Sequence, residues 1–107
     1  MIKLGIYAIC LSLLAPTSAF AASYFDTGND LYGKCLSSES TLCLGLASAY
    51  FEMMQELGYS CPGSGRTRGK VADVLTKFLK ENPELRHQSA ASLAVQAFIK
   101  GFGCKRQ

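Results

Sequence analysis

The sequence has few of the residues from which catalytic and metal sites are usually built. Its 107 residues include a single histidine, His87, and its five cysteines never occur as C-x-x-C pairs. Tetrahedral zinc sites usually show such pairs or an H-x-x-x-H spacing, so no metal is expected. Neither G-x-S-x-G nor a P-loop pattern is present, although the basic segment PGSGRTRGK could attract an anion. We therefore expect a protein without catalysis and without a cofactor.

Charge and hydrophobic length exclude two further classes. The formal net charge is +3, and the basic residues do not cluster with aromatic ones, so nucleic acid is not an expected partner. The longest apolar run, residues 4–15, is followed by Pro16. It is shorter than the roughly 20 residues that a membrane-spanning helix needs.

That apolar run predicts a secretory signal peptide over residues 1–21. Lys3 supplies the positive start, and Ala19-Phe20-Ala21 matches the small-x-small pattern of a cleavage site. The mature domain would then be residues 22–107, with 86 residues, four cysteines and a net charge of +2. We expect it to lie in the periplasm, without membrane attachment after cleavage.

Hydrophobic periodicity predicts an all-α domain, a small disulfide-braced bundle of about four helices. The segment 41–59 carries two apolar stripes, one through Leu42, Leu46 and Leu57 and one through Ala47 and Phe51, which is typical of a central helix covered on both sides. Shorter patterns predict helices over 28–36, from Thr67 to Asn82, and over 89–102. The last is so widely apolar that it indicates self-association, as the central helix also does.

The helix order also predicts the disulfides, although four cysteines allow three pairings. Cys35 ends the first helix and Cys43 begins the central one, so a tight turn brings the two together. An up-and-down path places Cys61 and Cys104 at the far end of the bundle. Cys35–Cys43 and Cys61–Cys104 are the expected bonds, because an even number of cysteines in an exported protein is usually structural.

A catalytic hypothesis competes with this disulfide interpretation. Cys43 lies near a helix N-terminus, where its thiol pKa could be lowered, and His87 could act as its base. That hypothesis requires a free thiol.

Two connecting segments are candidate binding surfaces. Around Pro83, residues 81–87 place Glu84, Arg86 and His87 between two helices, either as a helix stop and restart or as a surface for a partner protein. The glycine-rich segment 62–68 offers Ser64, Arg66 and Arg68 for charge-assisted contacts. The sequence does not decide between the two segments, and one surface could use both.

The order of motifs resembles one known family. GNDLYGKC, CLGL, CPGSGRT, the stretch Val71 to Phe98 and the closing FGC are similar to the resistance-associated and type VI amidase immunity proteins, the Rap/Tai family. The resemblance covers essentially the whole mature chain. Lys70 and Ser89 stand where members often have Gln and Pro.

The resemblance implies a function that periodicity alone does not. Members of this family are small exported helical proteins that dimerise and inhibit peptidoglycan amidases delivered by type VI secretion systems. We therefore expect a homodimer that occludes an amidase effector. The alternative is a periplasmic stress chaperone or adaptor, which would bind unfolded clients through an apolar face.

Overall fold

Four α-helices contain most of the residues that the computed structural model describes, which are 26–36 and 40–107. In chain order the elements are α1 (Gly28–Leu36), α2 (Ser40–Glu56), β1 (Tyr59–Ser60), α3 (Arg68–Glu81), a 3-10 helix (Pro83–Leu85), α4 (Ala90–Phe102) and β2 (Lys105–Arg106). The expected all-α, disulfide-braced class is confirmed, with one short pair of strands that the sequence did not predict. The predicted signal peptide lies outside the described residues.

Helix α1 begins at a reciprocal cap between Thr27 and Asp30. The Thr27 N–H donates to Asp30 Oδ2 over 3.0 Å, and the Asp30 N–H donates to Thr27 Oγ1 over 3.3 Å. The backbone and hydroxyl bonds from Thr27 favour the ionised carboxylate and hold the pKa of Asp30 below its usual value. Lys34 forms an ion pair with Asp26, which raises the pKa of Lys34. The start of α1 is therefore fixed by local polar contacts.

Residues 26–29, the N-terminal segment, run antiparallel to the end of the connector, which we define as residues 82–89. An isolated bridge joins Thr27 and Ser89. Three backbone hydrogen bonds of 2.9 Å accompany it, from Gly28 N–H to Gln88 O, from Asn29 N–H to Arg86 O and from Ala90 N–H to Asp26 O. A segment close to the predicted cleavage site is therefore part of the folded domain.

Helix α2 presents one apolar stripe to the core and another to solvent. The inner stripe consists of the buried residues Cys43, Ala47, Phe51 and Met54. The outer stripe consists of Leu42, Gly45, Leu46, Ala49, Met53 and, just past the helix, Leu57. Within it Leu46 and Met53 are half-buried, and Leu46 also packs against the core. Leu42 is 45% exposed and Leu57 is 55% exposed. The helix packs against all three other helices, as its predicted central position requires, while its outer stripe stays partly exposed.

Helix α4 is covered more completely than its composition suggested. Five of its residues are buried, namely Ala90, Leu93, Ala94, Ala97 and Phe98. Its Phe98 and Phe102 meet Phe51 of α2 in edge-on contacts, with ring centroids 5.3 and 5.5 Å apart. Among its described residues, Ile99 is the one large hydrophobic side chain that is strongly exposed. The outer stripe of α2, rather than α4, is the broad apolar surface.

Helices α3 and α4 are both capped, although Lys70 and Ser89 differ from the residues that are common in the family at these positions. Thr67 Oγ1 accepts the Lys70 N–H at the start of α3, and Ser89 Oγ accepts the Ser92 N–H at the start of α4, each over 3.2 Å. Ser and Thr caps of this kind need no Gln or Pro beside them.

Two disulfides close the bundle at opposite ends, in the pairing that the helix order predicts. Cys35–Cys43 joins α1 to α2, and Cys61–Cys104 joins the glycine-rich segment to the end of α4. Gly103, with a positive φ of 68°, ends α4 and turns the chain into β2, which pairs with β1. Cys61 and Tyr59 are thus held against the C-terminal residues.

We predict opposite stability changes for two Gly→Ala substitutions within α1. A Cβ at Gly28 would lie 2.2 Å from Leu93 Cδ1 and 3.0 Å from the Arg86 backbone, so Gly28→Ala should destabilise the fold by about 1–3 kcal/mol. A Cβ at Gly33 meets nothing within 4 Å, so Gly33→Ala should stabilise it by up to about 1 kcal/mol.

Urea unfolding of the oxidised protein measures both changes. Equal effects of the two substitutions would show that the N-terminal segment does not pack against the connector as described.

Candidate protein-binding site

The two predicted binding segments lie at opposite ends of α3. The glycine-rich segment precedes the helix and the connector follows it. The helix has 14 residues, which corresponds to a length of about 21 Å at 1.5 Å per residue. A partner that contacts both segments on a single chain would have to span this length of α3.

The connector is held by hydrogen bonds along its length. Asn82 ends α3 by donating its N–H and its side-chain amide to Phe78 O, over 3.1 and 2.8 Å. Pro83 opens the 3-10 helix, where its fixed φ and missing N–H cost nothing. His87 Nδ1 lies 3.0 Å from Glu84 O. Pro83, Glu84 and His87 are exposed, and a partner protein can reach all three.

Arg86 has a structural position within the connector. Its guanidinium carbon lies 4.3 Å from the centre of the Tyr32 ring, which is a close cation–π contact. Its Nε is buried and has no hydrogen-bond partner in the structure. The Arg86 carbonyl accepts from Asn29, so both its side chain and its backbone hold α1 against the connector. The packing of Arg86 favours a structural role for this residue, in the restart of the helix. Its neighbours Glu84 and His87 remain exposed to a partner protein.

The glycine-rich segment also divides into packed and exposed residues. Ser64 and Arg68 are exposed, while Arg66 is half-buried. The guanidinium carbon of Arg66 lies 5.5 Å from the Phe51 ring centre and 4.9 Å from that of Phe102. Arg66 Nη1 also donates to Gly63 O over 3.3 Å. Arg66 therefore covers the aromatic core while holding the loop in shape.

Two surface cavities lie beside these helices. A cavity of about 200 Å³ separates the glycine-rich segment from α2, and its lining comprises Ser48, Phe51, Glu52, Gln55, Arg66, Thr67, Arg68 and Val71. A larger groove of about 340 Å³ runs between α3 and α4, lined by Val74, Lys77, Phe78, Glu81, Ala97, Lys100 and Gly101. Only the smaller cavity contains predicted site residues.

Cys43 is not available as a nucleophile. Cys43 is bonded to Cys35, so it has no thiol for His87 to activate. In the described ranges, no group of three or more His, Cys, Asp and Glu side chains is placed to hold a metal ion. Along the same ranges, no helix combines the length and the apolar character needed to cross a membrane.

Comparison with known proteins identifies the family of this chain. The family model described as Rap1a immunity proteins matches residues 27–104, well over half of the chain. The chain belongs to the Rap1a immunity protein family. The match runs from the cap of α1 to the last cysteine and so spans every helix of the bundle. No curated protein and no solved structure matches the chain.

Membership assigns this chain a role as an immunity protein, whose partner is a protein effector. The resemblance identified from the sequence is thereby confirmed.

Sequence reasoning missed Tyr32 and Phe102, which hold Arg86 and Arg66 in place. Arg86 and Tyr32 are far apart in the sequence, as are Arg66 and Phe102, so no local sequence pattern predicts these contacts.

We predict that Arg86 contributes to stability and His87 does not. Arg86→Ala removes the contact with Tyr32 and the packing of the side-chain stem, and should cost about 1–2 kcal/mol of unfolding free energy. His87→Ala, next to it but exposed, should change stability by less than about 0.5 kcal/mol. Urea unfolding of both variants tests this, and an unchanged stability of Arg86→Ala contradicts the structural position of Arg86.

Proposed function

We propose that this immunity protein is exported, cleaved after Ala21, and binds a peptidoglycan amidase that a type VI secretion system delivers into the periplasm. Binding occludes the amidase active site and protects the producing cell. Support comes from membership in the Rap1a family and from the resemblance of the stretch 71–98 to amidase immunity proteins. The protein performs no chemistry in this account and needs no cofactor.

The observation that carries the occlusion proposal is the rigidity of the connector. Its backbone is hydrogen-bonded to the N-terminal segment, and Asn82 and Arg86 are fixed by their own contacts. A projection that is already ordered loses little conformational entropy when it enters an enzyme cleft. The exposed residues Pro83, Glu84 and His87 are the proposed contacts of the connector. Ser64, Arg66 and Arg68 are those of the glycine-rich segment.

The outer stripe of α2 supports the proposal of a homodimer. Leu42, Leu46, Ala49 and Met53 follow the spacing of four and three residues that is typical of a helix–helix contact. Gly45 and Ala49 lack large side chains, so a second helix can approach closely at the middle of the stripe. A patch of this kind on an exported domain is expected to be covered.

Charge favours an antiparallel arrangement of the two α2 helices. Glu52 and Glu56 flank the stripe near one end. A parallel pair would set each of them beside its own copy, which is unfavourable, whereas an antiparallel pair sets them opposite the uncharged residues 41–46. A twofold axis near Ala49 would follow.

This dimer would bring the two binding segments together. Within one chain α3 runs opposite to α2. Cys43 Sγ, near the start of α2, lies 3.9 Å from Thr76 Oγ1, whereas Gln55, near the end of α2, lines a cavity together with Arg68 at the start of α3. The connector is therefore at the end of the bundle where α2 begins, and the glycine-rich segment is where α2 ends. Antiparallel pairing places the connector of one copy at the same end as the glycine-rich segment of the other.

The test of function is inhibition of a peptidoglycan amidase effector of a type VI secretion system. The purified protein should reduce hydrolysis of isolated peptidoglycan and form a complex of fixed stoichiometry. Glu84→Lys should weaken the complex by about tenfold, because it reverses a charge on the connector. Asp73→Lys makes the same change at an exposed position within α3 and should have little effect.

Two results would contradict this proposal. One is full amidase activity in the presence of excess immunity protein. The other is suppression of aggregation of many unrelated unfolded proteins without a tight complex, which supports the chaperone alternative.

For the dimer, we predict that Ala49→Arg yields a monomer. At a twofold axis the substituted residue meets its own copy, so two arginines would face each other, and the dimer dissociation constant should rise by at least about a hundredfold. Gln55→Arg adds the same charge to α2 away from the outer stripe and serves as the control. Light scattering after size-exclusion chromatography measures both, and a dimeric Ala49→Arg variant excludes this interface.

A further inference from the structure

The small cavity beside the glycine-rich segment has more positive than negative charge. Arg66 and Arg68 line it together with one acidic residue, Glu52. Among the residues that the structure describes, neither arginine forms an ion pair with Glu52 or with any other carboxylate. Two guanidinium groups and one carboxylate leave a net charge of +1 at the cavity.

Arg66 is already held in position for binding. Its guanidinium packs over the Phe51 and Phe102 rings and donates one hydrogen bond to Gly63 O. A guanidinium carries five N–H donors, so donors remain for a partner. Because the side chain is fixed by the rings, binding costs less rotamer entropy than it would for a free arginine. Buried or packed arginines of this kind are often the residues that dominate an interface.

The size and lining of the cavity limit what can enter it. Its volume of about 200 Å³ is below the range of about 300–1,000 Å³ that is usual for small-molecule sites. Phe51 and Val71 provide apolar walls, and Gln55 adds an amide. A single side chain with a short apolar stem and a carboxylate fits these dimensions and this charge.

We propose that the effector inserts an aspartate or glutamate side chain into this cavity, where Arg66 and Arg68 bind its carboxylate. The planar fork of a guanidinium matches the two oxygens of a carboxylate, which a lysine does not. This inference rests on the proposed function, since it names the chemistry that the amidase contributes at the glycine-rich segment. It makes the specificity for one effector depend on an acidic residue of that effector.

The first test uses N-acetyl-aspartate N-methylamide as a probe and follows the arginine Nε–Hε signals of the oxidised protein by NMR. The probe should shift the Arg66 and Arg68 signals in a saturable way with a dissociation constant in the millimolar range, on the order of 1–10 mM. The matched asparagine compound should not. Arg68→Gln should weaken binding about fivefold or more, because it removes a charge-assisted contact at an exposed position. Arg66→Lys should also weaken binding.

Lys105→Gln is the control. Lys105 is exposed at the same end of the bundle and does not line the cavity. An equal effect of Lys105→Gln, an equal shift with the asparagine compound, or tighter binding of inorganic phosphate than of the probe would overturn the proposal. If Arg66→Lys does not fold, Arg68→Gln still decides it.

The second test uses the amidase complex and separates this inference from the proposed function. Arg68→Gln should weaken the complex, and changing one acidic residue of the amidase to its amide should weaken it no further in that variant. If the wild-type protein inhibits the amidase and Arg68→Gln binds it equally well, the carboxylate proposal fails and the immunity function stands. If no amidase is inhibited while the probe binds as described, the proposed function fails instead.

Discussion

The antiparallel pairing of residues 26–29 with the end of the connector is the contact on which the rest of the structure depends. It joins the first described residues to the segment between α3 and α4, so that α2 and α3 lie between the paired residues in the sequence. Gly28 permits this approach, because any side chain there would collide with Leu93. The cation–π contact between the Arg86 and Tyr32 side chains stabilises the same pairing. A loop that would otherwise be a simple link between two helices is thereby fixed in one conformation.

The opposite end of the bundle is organised by different means. There the Cys61–Cys104 disulfide and the short pairing of β1 with β2 hold the glycine-rich segment, while Arg66 packs over the aromatic core. Each end thus combines a rigid backbone with a few exposed polar side chains. Such an arrangement is suited to a protein that acts by filling and covering a site on another protein, since both surfaces are ordered before binding. Membership in the Rap1a immunity family agrees with that physical description.

Much of the fold follows from local patterns, and much of the site does not. Helical periodicity, the proline at 83 and the glycine at 58, which has a φ of 95°, mark where helices run and stop. The disulfide pairing follows from an up-and-down path. By contrast, the sequence cannot distinguish the inner from the outer stripe of α2, because both are apolar at the same spacing. From the sequence, Arg66 and Arg86 are expected to be as exposed as Arg68. Their aromatic partners are distant in the chain, and cation–π contacts follow no sequence periodicity.

Hydrogen–deuterium exchange of the protein alone and in complex with its effector tests the central claim most directly. The claim is that a connector already ordered in the free protein contacts the effector. In the free protein the amides of Gly28, Asn29 and Ala90, which donate across the pairing, should exchange slowly. In the complex, added protection should appear at residues 84–88. Fast exchange of those donor amides in the free protein, or added protection confined to the middle of α3, would contradict the account.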